Sequence, residues 1–441
     1  DFVSVTDTPR ATFGKHPWSI GGGGAAELKD SIESVGTAAF GTQTIAMGFF
    51  GISAADEVML ADASSLRRFN VEVERARPMI SGDEVRDWSS SPQFTAVFPY
   101  DEEGLLDIES MRGVKRWLWP SRTYLGSRVT FSKKTYFEEG RPWWEWHQIA
   151  LERIKTPFTI TFGEVATHNH FVLDRGGKVF NRTAPVIKLP AEATEDAHLG
   201  LLGLLNSSVA CFWLKQVCFP KGGDQVGGEG ARVRKTLWDE RYAFNSTNIA
   251  DFPLVDTRPL DLARRLDTLA SERAATLPDT LLREGRPLPT RATLASARRE
   301  AESLRQRMIA LQEELDWRCY RLYGLLPEGV AELEHPNPPE VRLGERAFEI
   351  VLARRMAEGK ESTTWFERHG STPITEVPAR WPADYRAVVE RRIELIDARS
   401  RRSGFSRESD LVGEVIAAKA APTVGAAGAV GLIERPEYKR R

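Results

Sequence analysis

Apolar residues along this chain change their spacing twice. Up to about residue 258, short runs rich in β-branched and aromatic residues (44–50, 58–61, 94–100, 158–162, 170–173 and 184–189) alternate with glycine, proline and asparagine. Such runs predict short strands closed by turns. The stretch 199–219 differs: its apolar positions have helical spacing over a length that suits one buried helix better than a strand. From residue 261 the pattern turns helical. Leu294, Ala297, Ala301, Leu304, Met308, Leu311 and Leu315 follow three- and four-residue steps, an apolar seam on a long helix that ends near Gly324. Pro336, Pro338 and Pro339 then break the chain, and shorter charged helices are expected over 345–358 and 382–399. The expected fold class is α/β (α+β). Three zones divide it: 1–258, mixed; 259–335, a helical spacer with the long amphipathic helix; and 336–441, a helical segment continuing into a longer protein.

Composition narrows the function. With 41% hydrophobic residues in 441, a packed globular chain is expected rather than disorder. Sixty Lys and Arg against 62 Asp and Glu leave a formal charge of −2, which excludes a uniformly basic nucleic-acid binder and leaves local patches open. Cys211, Cys218 and Cys319 are too scattered for a zinc site and odd in number, as suits a reducing cytoplasm. No apolar run approaches the roughly 20 residues of a membrane span, so no membrane partner is expected. The chain opens on Asp1 rather than Met and closes on a basic run, and both ends read as cuts in a longer polypeptide.

Catalytic machinery is hard to find. Residues 335–340 (His-Pro-Asn-Pro-Pro-Glu) look superficially like the Asn-Pro-Pro-aromatic loop of amino-methyltransferases, but Glu340 stands where the aromatic should be, and a proline-rich linker is expected. Glycines 21–24 match neither a phosphate-binding loop nor a dinucleotide fingerprint. His168 and His170 alternate on a predicted strand and are candidate metal ligands, yet no carboxylate or cysteine stands at a supporting spacing; ordinary surface or core histidines are expected. No Gly-x-Ser-x-Gly elbow or His-Glu-x-x-His helix occurs. No catalytic residue, cofactor site or metal site is therefore assigned.

Positive charge interleaved with aromatics does stand out. Between residues 111 and 141, Arg112, Lys115, Arg116, Arg122, Arg128, Lys133, Lys134 and Arg141 face two acids, Glu138 and Glu139, with Trp117, Trp119, Tyr124, Phe131, Tyr136 and Phe137 among them. Phosphates need cations at several points of a groove, and bases need planar side chains or forked donors, so this mixture suits nucleic-acid contact; a solvated charged face is the competing reading. A second cluster, Lys221, Arg232, Arg234 and Lys235, lies in and just after a glycine-rich stretch at 222–230. Arg67, Arg68, Arg75 and Arg77 form a third, partly offset by Glu72 and Glu74.

The order of several motifs resembles the target-recognition region of TaqI-like adenine-specific DNA methyltransferases. Residues 50–59 (Phe-Gly-Ile-Ser-Ala-Ala-Asp-Glu-Val-Met) are similar to its opening Gly-x-x-Thr-Gly-x-Asp-x-Val element, with Ser53 to Ala55 in place of the usual Thr-Gly. Residues 77–88, ending Val-Arg-Asp-Trp, are similar to the next element, and 98–101 (Phe-Pro-Tyr-Asp) to a third. Then come 143–147 (Trp-Trp-Glu-Trp-His), 201–208 (Leu-Leu-Gly-Leu-Leu-Asn-Ser-Ser) with 212–215, and 244–253, which closes the region. Residues 311–317 and 320–324 resemble the helix that follows in the larger methyltransferases of BREX-type phage defence. The resemblance spans roughly 15–330. It implies a TaqI-like target-recognition domain over 1–258, followed by the long helix and a helical C-terminal region.

It also implies a role: sequence-specific recognition of double-stranded DNA for methyl transfer from S-adenosylmethionine to adenine. The glycine motif for that cofactor and the catalytic loop belong to an N-terminal Rossmann-like domain that this chain lacks. That domain and double-stranded DNA are the implied partners, other phage-defence proteins candidates, and the cytoplasm the expected compartment. Lys115, Arg116, Arg122, Lys133, Lys134 and Arg141 are the candidates for phosphate contact, with Lys221, Arg232, Arg234 and Lys235 on a loop that closes on DNA. Trp143 and Trp144 are candidates for base stacking, against a core reading for the tryptophan cluster. Two alternatives remain open: a protein-interaction module docking through the seam of the long helix, and a specificity subunit of a restriction-modification complex.

Overall fold

In the computed structural model, residues 25–221, 241–282, 288–327, 329–330 and 333–402 are described, with Arg10 and Gly14. The fold is α+β, as expected: several small sheets lie beside helices. One sheet orders Phe171–Asp174, Thr159–Phe162, Val186–Lys188 and Ala46–Gly48, all antiparallel. The other orders Val179–Phe180, Ala76–Ile80, Phe94–Val97 and Leu60–Ala61, with one parallel pairing, Val179 to Met79. Two-stranded ribbons complete the β part. One is the hairpin Val85–Arg86 with Ser89–Ser90, whose turn is Asp87-Trp88.

Two differences from the sequence pattern have local causes. The run 58–61 is half helix: Asp56–Met59 makes one turn before the strand Leu60–Ala61. The single helix expected over 199–219 is two, Glu195–Leu205 and Ser208–Val217, bent by 67°. Both are almost wholly buried, so their apolar residues run on without a break in pattern. The break comes from polar side chains: Ser207 caps the second helix by accepting from the Ala210 amide. Asn206 turns its amide to the neighbouring sheet, donating to Phe171 O at 2.8 Å and accepting from Phe171 N at 3.0 Å. Among the described residues no single helix is long and apolar enough to cross a membrane.

The long helix runs Arg291–Leu322, capped by Thr290, and the chain leaves it through Gly324 at φ +64°. Its seam is exposed at Leu294 but buried at Ala297 and Leu304, and from Ile309 onward even Gln312, Glu313 and Glu314 lie inside. Leu260–Ala275, Ser208–Val217 and the helices Ala347–Ala357 and Ala383–Arg402 supply neighbours to the same core. That core draws residues from Ala25 to Ile396, so the composition change near 258 is not a break in packing. A second core is confined to residues between Phe50 and Val186 and includes Val114, Leu118 and Leu125 of the basic stretch.

The last zone is held by charge as much as by apolar contact. Arg392, fully buried, donates to Glu314 at 2.6 Å and to Leu333 O at 2.6 and 2.8 Å, and lies 5.4 Å over the Trp317 ring. Burial works against its charge, but Glu314 and Glu313 more than offset that and raise its affinity for the proton. Burial pushes the Glu313 carboxyl up, whereas Glu349, equally buried, stays below its ordinary range because Arg346 forks onto it at 2.9 and 3.0 Å and Trp365 Nε1 donates to it. Residues 335–340 act as a strap: the His335 amide donates to Glu314, Pro336 O accepts from Arg265, and Glu340 O accepts from Trp381.

Candidate nucleic-acid interface

The basic and aromatic residues of 111–141 form one module on the second core. Val114, Leu118 and Leu125 turn inward, and the start of the helix Arg112–Leu118 is tied down by Glu72, whose carboxylate accepts from the Gly113 and Val114 amides at 2.8 and 3.1 Å. A Cβ at Gly113 would stand 1.9 Å from Asn70 O, so only glycine lets the helix lie this close. The outward face then carries Arg112 and Arg116, four residues apart, followed by Trp119, Arg122 and Tyr124, all exposed. Arg122 spans two rings, 5.3 Å from the centroids of both Trp119 and Phe137.

The chain then makes a tight loop. Thr130 N donates to Lys134 O at 2.8 Å and Lys133 N to Thr130 O at 3.0 Å, with Lys133 at φ +63°. Phe131, 78% exposed, sits at the tip with Lys133 and Lys134 beside it. Local geometry already uses both nearby acids. Glu138 closes a capping box with Thr135, and Glu139 accepts from the Thr130 and Ser132 hydroxyls. These bonds hold both carboxyls below their ordinary range: the Thr135 amide and hydroxyl for Glu138, the Ser132 and Thr130 hydroxyls for Glu139.

The candidate residues divide by environment. Arg116, Arg122, Lys133 and Lys134 are exposed, and unassigned Arg112 joins them. Lys115 is half-buried and ion-paired with Glu109 at 2.5 Å, and Arg141 pairs with Glu145 while lying 4.5 Å over the Tyr136 ring. Arg128, counted among the cations of the cluster, is buried: it donates to the carbonyls of Ser53, Leu125, Trp143 and Glu145 at 2.7 to 3.0 Å, and burial lowers its affinity for the proton. Trp143 is only 7% exposed, packed edge-on against Trp119 and Trp144, and Trp144 is half-buried with Nε1 donating to Leu106 O. Trp143 therefore has little surface to offer a base. The exposed rings of the cluster are Trp119, Tyr124, Phe131 and Phe137, with the Tyr124 hydroxyl held by Glu57. Lys221 is exposed, its amide donating to Arg241 O at 2.6 Å; Arg232, Arg234 and Lys235 lie outside the described residues.

A cleft of about 370 Å³ adjoins this face, lined by residues 51–57, Met79 and 181–183. Tyr124 connects the two by donating to Glu57, which lowers the Glu57 carboxyl. Ala54 stands in this loop at φ +53°, a left-handed backbone that disfavours any side chain. The turn at Ala54 is held through the Ser53 hydroxyl, which accepts from the Ala55 amide and donates to Asp56.

Comparison with known proteins places the whole in context. Over its entire length, in an alignment of 445 residues, the chain is 46% identical to the adenine-specific methyltransferase PglX of Streptomyces coelicolor. The chain is a homologue of part of PglX. It spans 34% of that relative, about a third. Residues 308–403, which include the second half of the long helix and the Arg392 network, match a domain of unknown function, DUF7008. A type IIL restriction-modification enzyme, MmeI, solved in complex with DNA, aligns with 65% of this chain and 33% of its own at 14% identity and a TM-score of 0.36, too loose a superposition to transfer any contact. The likeness to PglX runs through both the outward basic module and the inward charged network.

Proposed function

We propose that this chain is the DNA-recognition portion of a site-specific adenine methyltransferase of a BREX-like bacterial phage-defence system. It grips duplex DNA while a catalytic domain elsewhere in the protein holds S-adenosylmethionine and methylates the target base. One observation carries the reading: Arg112, Arg116, Arg122, Lys133 and Lys134 stand exposed on the same module as the open rings of Trp119, Phe131 and Phe137. Methylating an adenine amine requires the base to leave the stack, so the duplex must be held from outside the catalytic pocket. Cations tracking the phosphates supply that hold, and they carry no sequence information themselves. Docking of a partner through the long helix is less well supported, because its seam is covered from Leu304 onward.

The test uses the full-length protein and duplex DNA containing its methylation site. Each phosphate contact contributes about 0.9 to the slope of log affinity against log salt. Lys133→Glu together with Lys134→Glu is expected to weaken binding to all duplexes and to flatten that slope by about two units. A slope unchanged in the double variant removes this loop from the interface and with it the proposed grip.

A further inference from the structure

Asp87, His168 and His170 are far apart in sequence and adjacent in space, and the recognition reading gives them nothing to do. One potential ligand atom from each lies within 4.8 Å of the other two. His168 is 1% and His170 6% exposed, and their ring centroids are 4.0 Å apart. Asp87 Oδ1 is 2.8 Å from His170 Nδ1.

Each of the three is fixed from behind. Asp87 opens the two-residue turn of the hairpin Val85–Arg86 and Ser89–Ser90, and the next residue, Trp88, has φ +63°. So bulky a residue in the left-handed region is an outlier that persists only where its surroundings enforce it. Here the enforcement is burial of the indole and its hydrogen bond to Gln312 of the long helix at 3.0 Å. His168 Nδ1 lies 3.0 Å from the Thr167 hydroxyl, which fixes the orientation of the ring. Asn169, between the two histidines, is fully buried and donates to Leu205 O at 2.5 Å, so the backbone presenting both imidazoles is anchored to the helix beneath.

From this geometry we propose that Asp87, His168 and His170 bind one divalent transition-metal ion of the zinc class. Two imidazoles and one carboxylate are a donor set that Zn(II) and Co(II) accept, with ligand bonds of about 2.0–2.2 Å and one position left for water. The hydroxyl behind His168 and the strained turn behind Asp87 are the kind of outer partners that orient metal ligands. The place suits a clip. The turn belongs to a hairpin with Val85 in the second core and Trp88 in the main core, and His170 leads into a strand whose Phe171 and Val172 divide between the same two cores. An ion here ties the hairpin, whose Trp88 bonds to Gln312 of the long helix, to the strand that His170 leads into.

The full-length protein, purified without chelator and dialysed against Zn(II), is expected to retain one more ion per chain, by elemental analysis, than the His168→Gln/His170→Gln variant. Titration with Co(II) is expected to give visible absorption bands of a site with nitrogen and oxygen ligands, and Asp87→Asn to weaken Co(II) binding about tenfold or more. His198→Gln and His335→Gln, which alter histidines outside the cluster, are expected to keep the stoichiometry. Equal metal content in the wild type and the double-histidine variant overturns the site. Should that variant fail to fold, the wild type decides alone: Co(II) bands with a melting temperature lowered by EDTA support the site, and absence of either overturns it.

Discussion

Arg122 and Arg392 each lay a guanidinium over a tryptophan at nearly the same distance, 5.3 and 5.4 Å, in opposite surroundings. Around Arg122 the rings and neighbouring cations are open to water, and the nearby acids are spent on a helix cap and a loop. Around Arg392 everything is closed: Glu314 and the Leu333 carbonyl accept from Nε and Nη2, Glu313 lies 3.6 Å from Nη1, the indole lies beneath, and the charge survives inside the core. The contact is the same, but its use depends on what else the cation can reach. Left open, it offers charge and a flat ring to a ligand; closed, it ties three segments of one chain together. Arg128 lies between these cases, inside the basic module yet bound to four carbonyls.

That contrast can be broken by substitution. The largest effect is expected for Arg392→Met, which leaves Glu313 and Glu314 buried without their cation and costs about 3–5 kcal/mol. Chemical denaturation of the full-length protein measures it, and a loss below 1 kcal/mol would mean the network is less closed than its geometry. Next, Arg128→Met strands four carbonyls and is expected to lower stability by about 2–4 kcal/mol. If the melting temperature holds while DNA affinity falls, Arg128 belongs with the outward group instead. Smallest in stability is Arg122→Ala, within about 0.5 kcal/mol as befits an exposed site. Its DNA affinity should nonetheless drop about threefold to tenfold, measured at fixed salt, as one phosphate contact and its ring pairing are lost. No change in affinity would reduce this face to a solvated charged surface.

Legibility in the sequence followed how local each feature is. The long helix could be read because three- and four-residue spacing records one buried face, and its end was marked by Gly324. The break at Asn206 could not, since both helices are buried on all sides and the signal lies in hydrogen bonds to a strand 35 residues earlier. The basic cluster of 111–141 was legible as composition, but its division into open Arg122 and closed Arg128 was not, because the Ser53 carbonyl that occupies Arg128 arrives from 75 residues away. Likewise no carboxylate stood at a supporting spacing for His168 and His170. Asp87 comes from a hairpin 83 residues before His170, and only the fold brings it there.

Gly126 receives the far end of the Phe137 ring, where a Cβ would stand 2.1 Å from Cζ, and the Arg122 guanidinium lies 5.3 Å from the ring centroid. The ring is thus positioned by two contacts while it stays 43% exposed. A platform set in advance has few rotamers left to surrender, so the entropy of ordering it was spent during folding rather than at each encounter. A protein that must sample many wrong sites before a right one gains from this in time: each trial contact can form and dissolve without waiting for its own side chains.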